Sequence, residues 1–221
     1  MKRALITGGS RGIGKAISMI FKEKGFEVVC PTREELNLNS IDSVEQFILN
    51  HKSEHFDVIV NNAGVNDVNF IESITDEEIQ SMVNVNLIAP IMLIRGFVGS
   101  MKERKGGRIV NIGSIWAVVS KPGRCVYSAT KNGIHGVTNT LAAELAQYNI
   151  LVNTVCPGFT LTELTKKNNS LEEIRKISHS IPMGRLALPE EIAEVVFFLC
   201  SENNTYLTGQ KITVDGGYTA I

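Results

Sequence analysis

Cysteine is sparse in this sequence and carries no pattern. Cys30, Cys125, Cys156 and Cys200 form no CxxC pair and no metal-ligand spacing. They read as small side chains, which leaves no dithiol or metal site to expect. Charge of one sign is lacking too. The 22 Lys and Arg balance 23 Asp and Glu to a net charge of −1, and their interspersion offers no basic face for a nucleic-acid backbone. No apolar run suggests a membrane span. The N-terminus passes directly into Ala4-Leu5-Ile6 without the zones of a secretory signal. Repeats, low-complexity tracts and linkers are also missing. The expectation is a cytoplasmic chain with one domain over residues 1–221, without metal, membrane or nucleic acid as partners.

What is present is an alternation of short apolar runs and helical patterns. Ala4-Leu5-Ile6 is followed at once by Thr7-Gly8-Gly9-Ser10-Arg11-Gly12-Ile13-Gly14, and then by a helical pattern through Ile17, Ile20 and Phe21. Strand, glycine turn and helix together form the context in which a glycine cluster binds a dinucleotide. The glycines let the backbone approach the pyrophosphate, which the helix N-terminus attracts. Glu27–Cys30 reads as a second strand, and Leu36-Asn37-Leu38 is a possible third. Phe56–Val60 is apolar throughout, as a strand buried on both faces requires. It ends in the small, amide-rich Asn61-Asn62-Ala63-Gly64. A capping box at Thr75–Glu78 opens a long helix that Pro90 should bend. Further strands follow at Arg108–Gly113, Leu151–Val155 and Ile212–Val214, with helices from Tyr127 and Pro189. The polar stretch Thr160–His179 reads as a flap. The whole predicts a doubly wound, mostly parallel α/β sheet of seven strands with helices on both faces, its site at the strands' carboxyl ends.

The chemistry is concentrated around Tyr127-Ser128-Ala129-Thr130-Lys131, with Ser114 closing the strand before it. Four residues apart on a helix, the phenol and the ammonium share one face. A free phenol titrates near about 10, and a nearby cation draws it towards the working range of a proton donor. The spacing alone also arises on ordinary helices. The end of the second strand selects a dinucleotide: Pro31, Thr32 and Arg33 stand there with Arg11 nearby, and two guanidiniums suit a 2′-phosphate. NADP(H) is therefore favoured over NAD(H). The competing view makes Arg33 a solvated charge, with Glu34 or Glu35 reaching the ribose.

With these pieces in order, the chain resembles the classical short-chain dehydrogenase/reductase family from end to end. The matches are Thr7-Gly8-x-x-x-Gly12-x-Gly14, Asn61-Asn62-Ala63-Gly64, Asn86, Ser114, Tyr127-x-x-x-Lys131 and Pro157-Gly158. The segments Ile181–Arg185, Leu207–Gln210 and Val214–Gly217 are most similar to those of 3-oxoacyl-carrier-protein reductases. The resemblance implies a Rossmann fold and a catalytic set of Asn86, Ser114, Tyr127 and Lys131. Tyr127 would be the general acid and Ser114 would orient the substrate oxygen. Lys131 would bind the nicotinamide ribose, and Asn86 would hold a water linking Lys131 to solvent. Cofactor contacts would come from Thr7, Gly8, Ser10, Arg11, Gly12, Ile13 and Gly14, and from Thr32, Arg33, Asn37 and Leu38. Asn62, Ala63 and Gly64, with Pro157, Gly158, Thr160 and Thr162, would complete them.

The implied activity is NAD(P)H-dependent reduction of a ketone, such as a 3-oxoacyl thioester, in a homotetramer or homodimer. The substrate is a small carbonyl or alcohol compound, free or carried on an acyl carrier protein. The alternatives are an NAD-dependent sugar or polyol dehydrogenase and a silent dinucleotide sensor. Three departures from the family pattern stand out. The chain is short between Cys30 and Leu36, Asn37 replaces an aspartate, and Tyr148 replaces a basic residue, with Lys105 and Arg124 expected near the mouth.

Overall fold

The structure, a computed structural model, describes residues 1–220. Its strands are β1 (Arg3–Ile6), β2 (Glu27–Val29), β3 (Val58–Asn61), β4 (Gly107–Ile112), β5 (Ile150–Pro157) and β6 (Lys211–Val214). They pair in parallel in the order β2-β1-β3-β4-β5-β6. The order reverses between β1 and β3, and that switch point opens a crevice at the carboxyl ends of the strands.

Strand alternation sends side chains to both faces, and each face has its own apolar layer. Leu5, Ile59, Ile109 and Val152 meet helices α2 (Ile41–Asn50), α4 (Ala89–Glu103) and α5 (Cys125–Leu145) through Phe47, Leu93, Phe97 and Leu145. Ala4, Ile6, Val58, Val60 and Val110 face the opposite way. They meet α1 (Gly12–Glu23) and α8 (Pro189–Cys200) through Ile17, Phe21, Ile192 and Val196.

Among the described residues the sheet has six strands, not seven. Leu36-Asn37-Leu38 stays outside it. The Leu36 N–H bonds Thr32 O at 2.9 Å, closing a turn, and the Asn37 N–H bonds Ser43 Oγ at 3.0 Å. A parallel crossover takes about a dozen residues or more, and only residues 30–35 lie between β2 and Leu36. The chain therefore cannot return to pair, and β2 is left as the edge.

Two further expectations change. The long helix is α3 (Asp76–Val83), a π-turn over Asn84–Ile88, and then α4. The Ala89 N–H reaches back five residues to Asn84 O, so a widened turn rather than a simple proline kink precedes Pro90. The run Asp76–Glu103 contains an apolar stretch that is long and apolar enough by length and composition to cross a membrane. Here half of that apolar stretch is buried, with Met82, Leu93, Ile94, Phe97 and Met101 in the core. The flap region is also helical, as α6 (Glu163–Asn168) and α7 (Leu171–His179). Thr162 caps the first, and a Ser170–Glu173 capping box opens the second.

A polar layer crosses the buried sheet just below the crevice. Asn61 Nδ2 donates to Asn111 Oδ1 at 2.8 Å. Asn111 Nδ2 donates to Thr138 Oγ1 at 2.9 Å, and Thr154 Oγ1 donates to the same oxygen at 2.8 Å. Thr138→Val keeps the shape of α5 but strands both donors. We expect it to lower the unfolding free energy by about 1–3 kcal/mol, read as an earlier urea midpoint with unchanged slope. Thr138→Ser should retain most of the wild-type stability.

Candidate active site

The glycine turn is built by sterics and locked by side chains. Gly8 has φ +67 and Gly12 φ +52, a region costly for residues with a Cβ. A Cβ on Gly14 would stand 2.1 Å from Gly8 O and 2.4 Å from Asn62 Nδ2, so α1 and the turn approach as closely as backbone allows. Thr7 Oγ1 accepts from the N–H groups of Asn62 and Ala63, each at 3.1 Å. Asn62 Nδ2 donates back to Thr7 O at 2.9 Å and Gly8 O at 3.2 Å. The ends of β1 and β3 are thereby stapled together under the crevice. The first turn of α1 holds no acidic side chain, and its N-terminus favours an anion.

Ser114, Tyr127, Lys131 and Asn86 meet on the neighbouring side. Ser114 follows β4 with a buried hydroxyl that accepts the Trp116 N–H at 3.2 Å. Lys131 is buried, and its Nζ donates to Ile112 O at 2.7 Å and lies 5.6 Å from the centre of the Tyr127 ring. Asn86, carried by the π-turn, clamps Val65. Its Oδ1 accepts the Val65 N–H at 2.9 Å, while its Nδ2 donates to Val65 O at 2.9 Å and Thr130 Oγ1 at 3.2 Å. A Cβ on Gly64 would lie 3.2 Å from Asn86 Oδ1 and 3.5 Å from Lys131 Nζ. The Asn62–Gly64 turn, the π-turn and α5 therefore converge on one ammonium.

Burial dominates the titration of this cluster. It pushes the Tyr127 phenol up, while hydrogen bonding by Ser114 and the positive charge of Arg124 pull it down. Burial lowers Lys131 to about 8. Arg124 thus adds its charge on the phenol, while the Lys131 ammonium, 5.6 Å from the ring centre, is engaged by the β4 backbone.

A family model described as enoyl-(acyl carrier protein) reductase matches residues 34–219. The 3-oxoacyl-acyl-carrier-protein reductase FabG of Thermotoga maritima is 36% identical, over 98% of this chain and 97% of its own length. The FabG of Vibrio harveyi is 34% identical, over 98% and 96%. This chain belongs to the short-chain dehydrogenase/reductase family. A Beutenbergia cavernae structure assigned as an NAD(P)-dependent gluconate 5-dehydrogenase, with NADP at low occupancy, superposes with TM-score 0.92. It is 29% identical and covers 100% of this chain and 97% of its own. A Francisella tularensis short-chain dehydrogenase family protein superposes at 0.89, with 33% identity and 100% of each chain covered.

The remaining short-chain dehydrogenase positions distribute as follows. Gly158 lies hard against Asp215, where a Cβ would stand 2.7 Å from the Asp215 Cα. It follows Pro157 at the end of β5. Thr160 Oγ1 donates to Gly158 O at 3.1 Å. Thr162 caps α6, and its Cγ2 would sit 3.2 Å from a Cβ on Gly12, so the flap begins over the glycine turn. Ser10, Arg11, Thr32 and Arg33 are exposed, and Ile13 and Leu38 are partly buried. Asn37 Oδ1 accepts the Asn39 N–H at 3.1 Å, a local turn. Glu35 is folded onto Thr32, accepting its N–H at 2.7 Å.

Lys105 does not reach the mouth. It sits in the turn before β4, so the strand's whole length, at about 3.3 Å per residue, separates it from Ser114. Tyr148 lies past the far end of α5 from Tyr127, under the Lys102 ammonium at 5.2 Å. The sequence pattern did not reveal Thr130, which ties Asn86 to the Tyr127 carbonyl through a 2.8 Å bond. Nor did it reveal the edge-to-face trio of Trp116, Phe159 and Tyr218. Its rings come from three distant segments. No group of three or more His, Cys, Asp or Glu placed to hold a metal occurs among the described residues.

The depressed Lys131 pKa has a signed consequence. Below about pH 8 both folded and unfolded chains carry the ammonium, and the folded state bears the full cost of burying it. Between about 8 and 10.5 the folded chain sheds a proton that the unfolded chain keeps, so stability rises with pH. We expect wild type to gain up to about 3 kcal/mol relative to Lys131→Met across that window. Urea denaturation at several pH values measures it, and parallel curves would contradict a buried ammonium.

Proposed function

We propose that this protein reduces a ketone to a secondary alcohol with NADP(H). The observation that carries the reading is the convergence of Ser114, Tyr127 and Lys131 beside a glycine turn in which Gly14 leaves no room for a Cβ. The cradle residues Gly8, Gly12 and Gly14, the α1 N-terminus, Asn62–Gly64, Lys131, Pro157 and Thr162 would hold the dinucleotide. When bound, its nicotinamide supplies a hydride to the carbonyl carbon. The protein's part is electrostatic and protonic. Ser114 donates a hydrogen bond to the substrate oxygen, which gains negative charge as it is reduced, and Tyr127 hands that oxygen its proton. Lys131 holds the ribose hydroxyls and keeps positive charge near the phenol, and Asn86 supports its reprotonation from solvent.

NADP(H) is favoured because Arg11 and Arg33 are exposed and neither forms an ion pair among the described residues. Of the two competitors for a ribose, Glu35 is engaged with Thr32 and Glu34 is exposed. The FabG relatives point to a 3-oxoacyl thioester as substrate, free or on a carrier protein. A second reading, oxidation of a sugar acid, draws on the close superposition with the Beutenbergia structure. We further place the protein in the cytoplasm as a homodimer or homotetramer.

Tyr127→Phe is expected to lower kcat about a thousandfold or more while NADP(H) binding by fluorescence titration stays near wild type. Retained turnover would remove Tyr127 as the acid. Arg11→Ala combined with Arg33→Ala should weaken NADPH binding well beyond NADH binding. Equal losses would show that neither arginine reads the 2′-phosphate.

A further inference from the structure

Asn84 is buried at the start of the π-turn, and the reaction described above makes no use of its side chain. Its main chain belongs to the helix: the N–H bonds back to Gln80 O and Ser81 O, and the carbonyl takes the Ala89 N–H that closes the wide turn. Its amide reaches across to another part of the chain. Asn84 Nδ2 donates to Asn39 O at 3.1 Å, with Asn39 Oδ1 at 3.4 Å. Asn84 Oδ1 accepts from Gln80 Nε2 at 2.8 Å. A backbone carbonyl can only accept, so the NH2 group has to face Asn39, and Gln80 at the other end holds the amide in that orientation.

The segment that Asn84 grips has no support from the sheet. Leu36–Asn39 follows the turn at the carboxyl end of β2 and pairs with no strand, because the connection before it is too short. Leu36 is anchored in the apolar layer. Beyond it the backbone bonds locally, from the Asn37 N–H to Ser43 Oγ, from the Ser40 N–H to Asn37 O and from the Asn39 N–H to Asn37 Oδ1. Among the described residues, the hydrogen bonds that reach Leu36–Asn39 from outside residues 32–43 all come from Asn84. In a sheet of this kind the end of the second strand reads the adenosine ribose of a dinucleotide. Leu36–Asn39 continues from that point, directly after the turn that carries Arg33.

We propose that Asn84 is a positioning residue for the adenosine half of the dinucleotide, acting through Leu36–Asn39, its amide standing in for the strand pairing that the short connection forbids. This inference rests on the dinucleotide-binding part of the reading above. A segment tied only to its own neighbours has to be ordered when the nucleotide arrives, and that ordering costs affinity. Fixed in advance by Asn84, it binds without that loss. The π-turn is closed by the main chain of Asn84, so changing the side chain leaves the aim of Asn86 alone. The effect therefore falls on nucleotide affinity and not on proton transfer.

The test is calorimetry of two probes, 2′,5′-ADP and ADP, with wild type, Asn84→Asp and Asn84→Ser. Asn84→Asp keeps the shape and the acceptor for Gln80 but removes the donor, and Asn84→Ser controls for the added charge. Both variants should bind 2′,5′-ADP about tenfold more weakly. The KM for NADPH should rise by a similar factor, while kcat and the KM for the ketone hold. Without nucleotide, amide exchange over residues 36–40 should quicken in both variants and stay unchanged over α4. Unchanged 2′,5′-ADP affinity in both variants would overturn the proposal, as would a lower kcat with an unchanged KM for NADPH. Wild type that prefers ADP, with that affinity lost in Asn84→Asp, supports the proposal and removes the NADP preference. Nucleotide affinity that depends on Asn84, in a protein that turns over no ketone, supports it and refutes ketone reduction. Turnover with NADPH affinity independent of Asn84 refutes the proposal alone. Binding of neither probe to wild type removes the dinucleotide reading and the proposal together. A single cooperative urea transition confirms that each variant folds.

Discussion

One desolvated ammonium sets the terms for the carboxyl end of this sheet. Lys131 is carried inward by α5, and among the described residues its single hydrogen bond is to Ile112 O at 2.7 Å. A charge so placed constrains everything around it, because little but carbonyls, amides and glycine backbone can stand beside it without added cost. Gly64 leaves room, and Asn86 turns its amide to Val65 and Thr130. The π-turn follows the same logic. A regular helix through Asn84–Ile88 would rotate Asn86 away, whereas the extra residue in the turn re-aims it.

Beneath this cluster the sheet is more polar than a buried parallel sheet needs to be. Asn61, Asn111 and Thr154 occupy adjacent register positions on β3, β4 and β5, and Thr138 of α5 joins them. Asn153 extends the pattern, bonding Leu207 O and the Gln210 N–H at the entry to β6. Networks of this kind hold strands in a single register, since a slip would strand every donor at once; only the Asn61 Oδ1 lacks a partner within this one among the described residues. They fix the height at which β4 and β5 end, and hence where Ser114 and Pro157 emerge.

The opposite edge of the sheet shows the effect of a short connection. With no helix between β2 and Leu36, the chain turns through Thr32–Leu36 and enters α2 directly. Arg33 and Glu35 then lie on a compact turn. The turn engages Glu35 with Thr32 and leaves Arg33 exposed.

Periodicity and local chemistry made much of this legible beforehand. The capping box at Thr75, the glycine turn between β1 and α1, and the strands read at Phe56–Val60 and Arg108–Gly113 all follow from interactions spanning a few residues. So does the placing of Tyr127 above Lys131 on one helix face. Long-range geometry decided the rest. Whether Leu36-Asn37-Leu38 pairs depends on whether the chain has length to return, and whether Lys105 reaches the mouth depends on which end of β4 it occupies. How far the phenol is buried depends on how α5 docks against β4. The amino-acid order by itself determined the elements and the residue types at their ends, because caps, turns and alternation act locally. Only the tertiary structure decided that the buried Lys131 ammonium goes to a backbone carbonyl and that Arg124, one turn before Tyr127, has no ion-pair partner among the described residues, since burial and partnership are properties of packed neighbours.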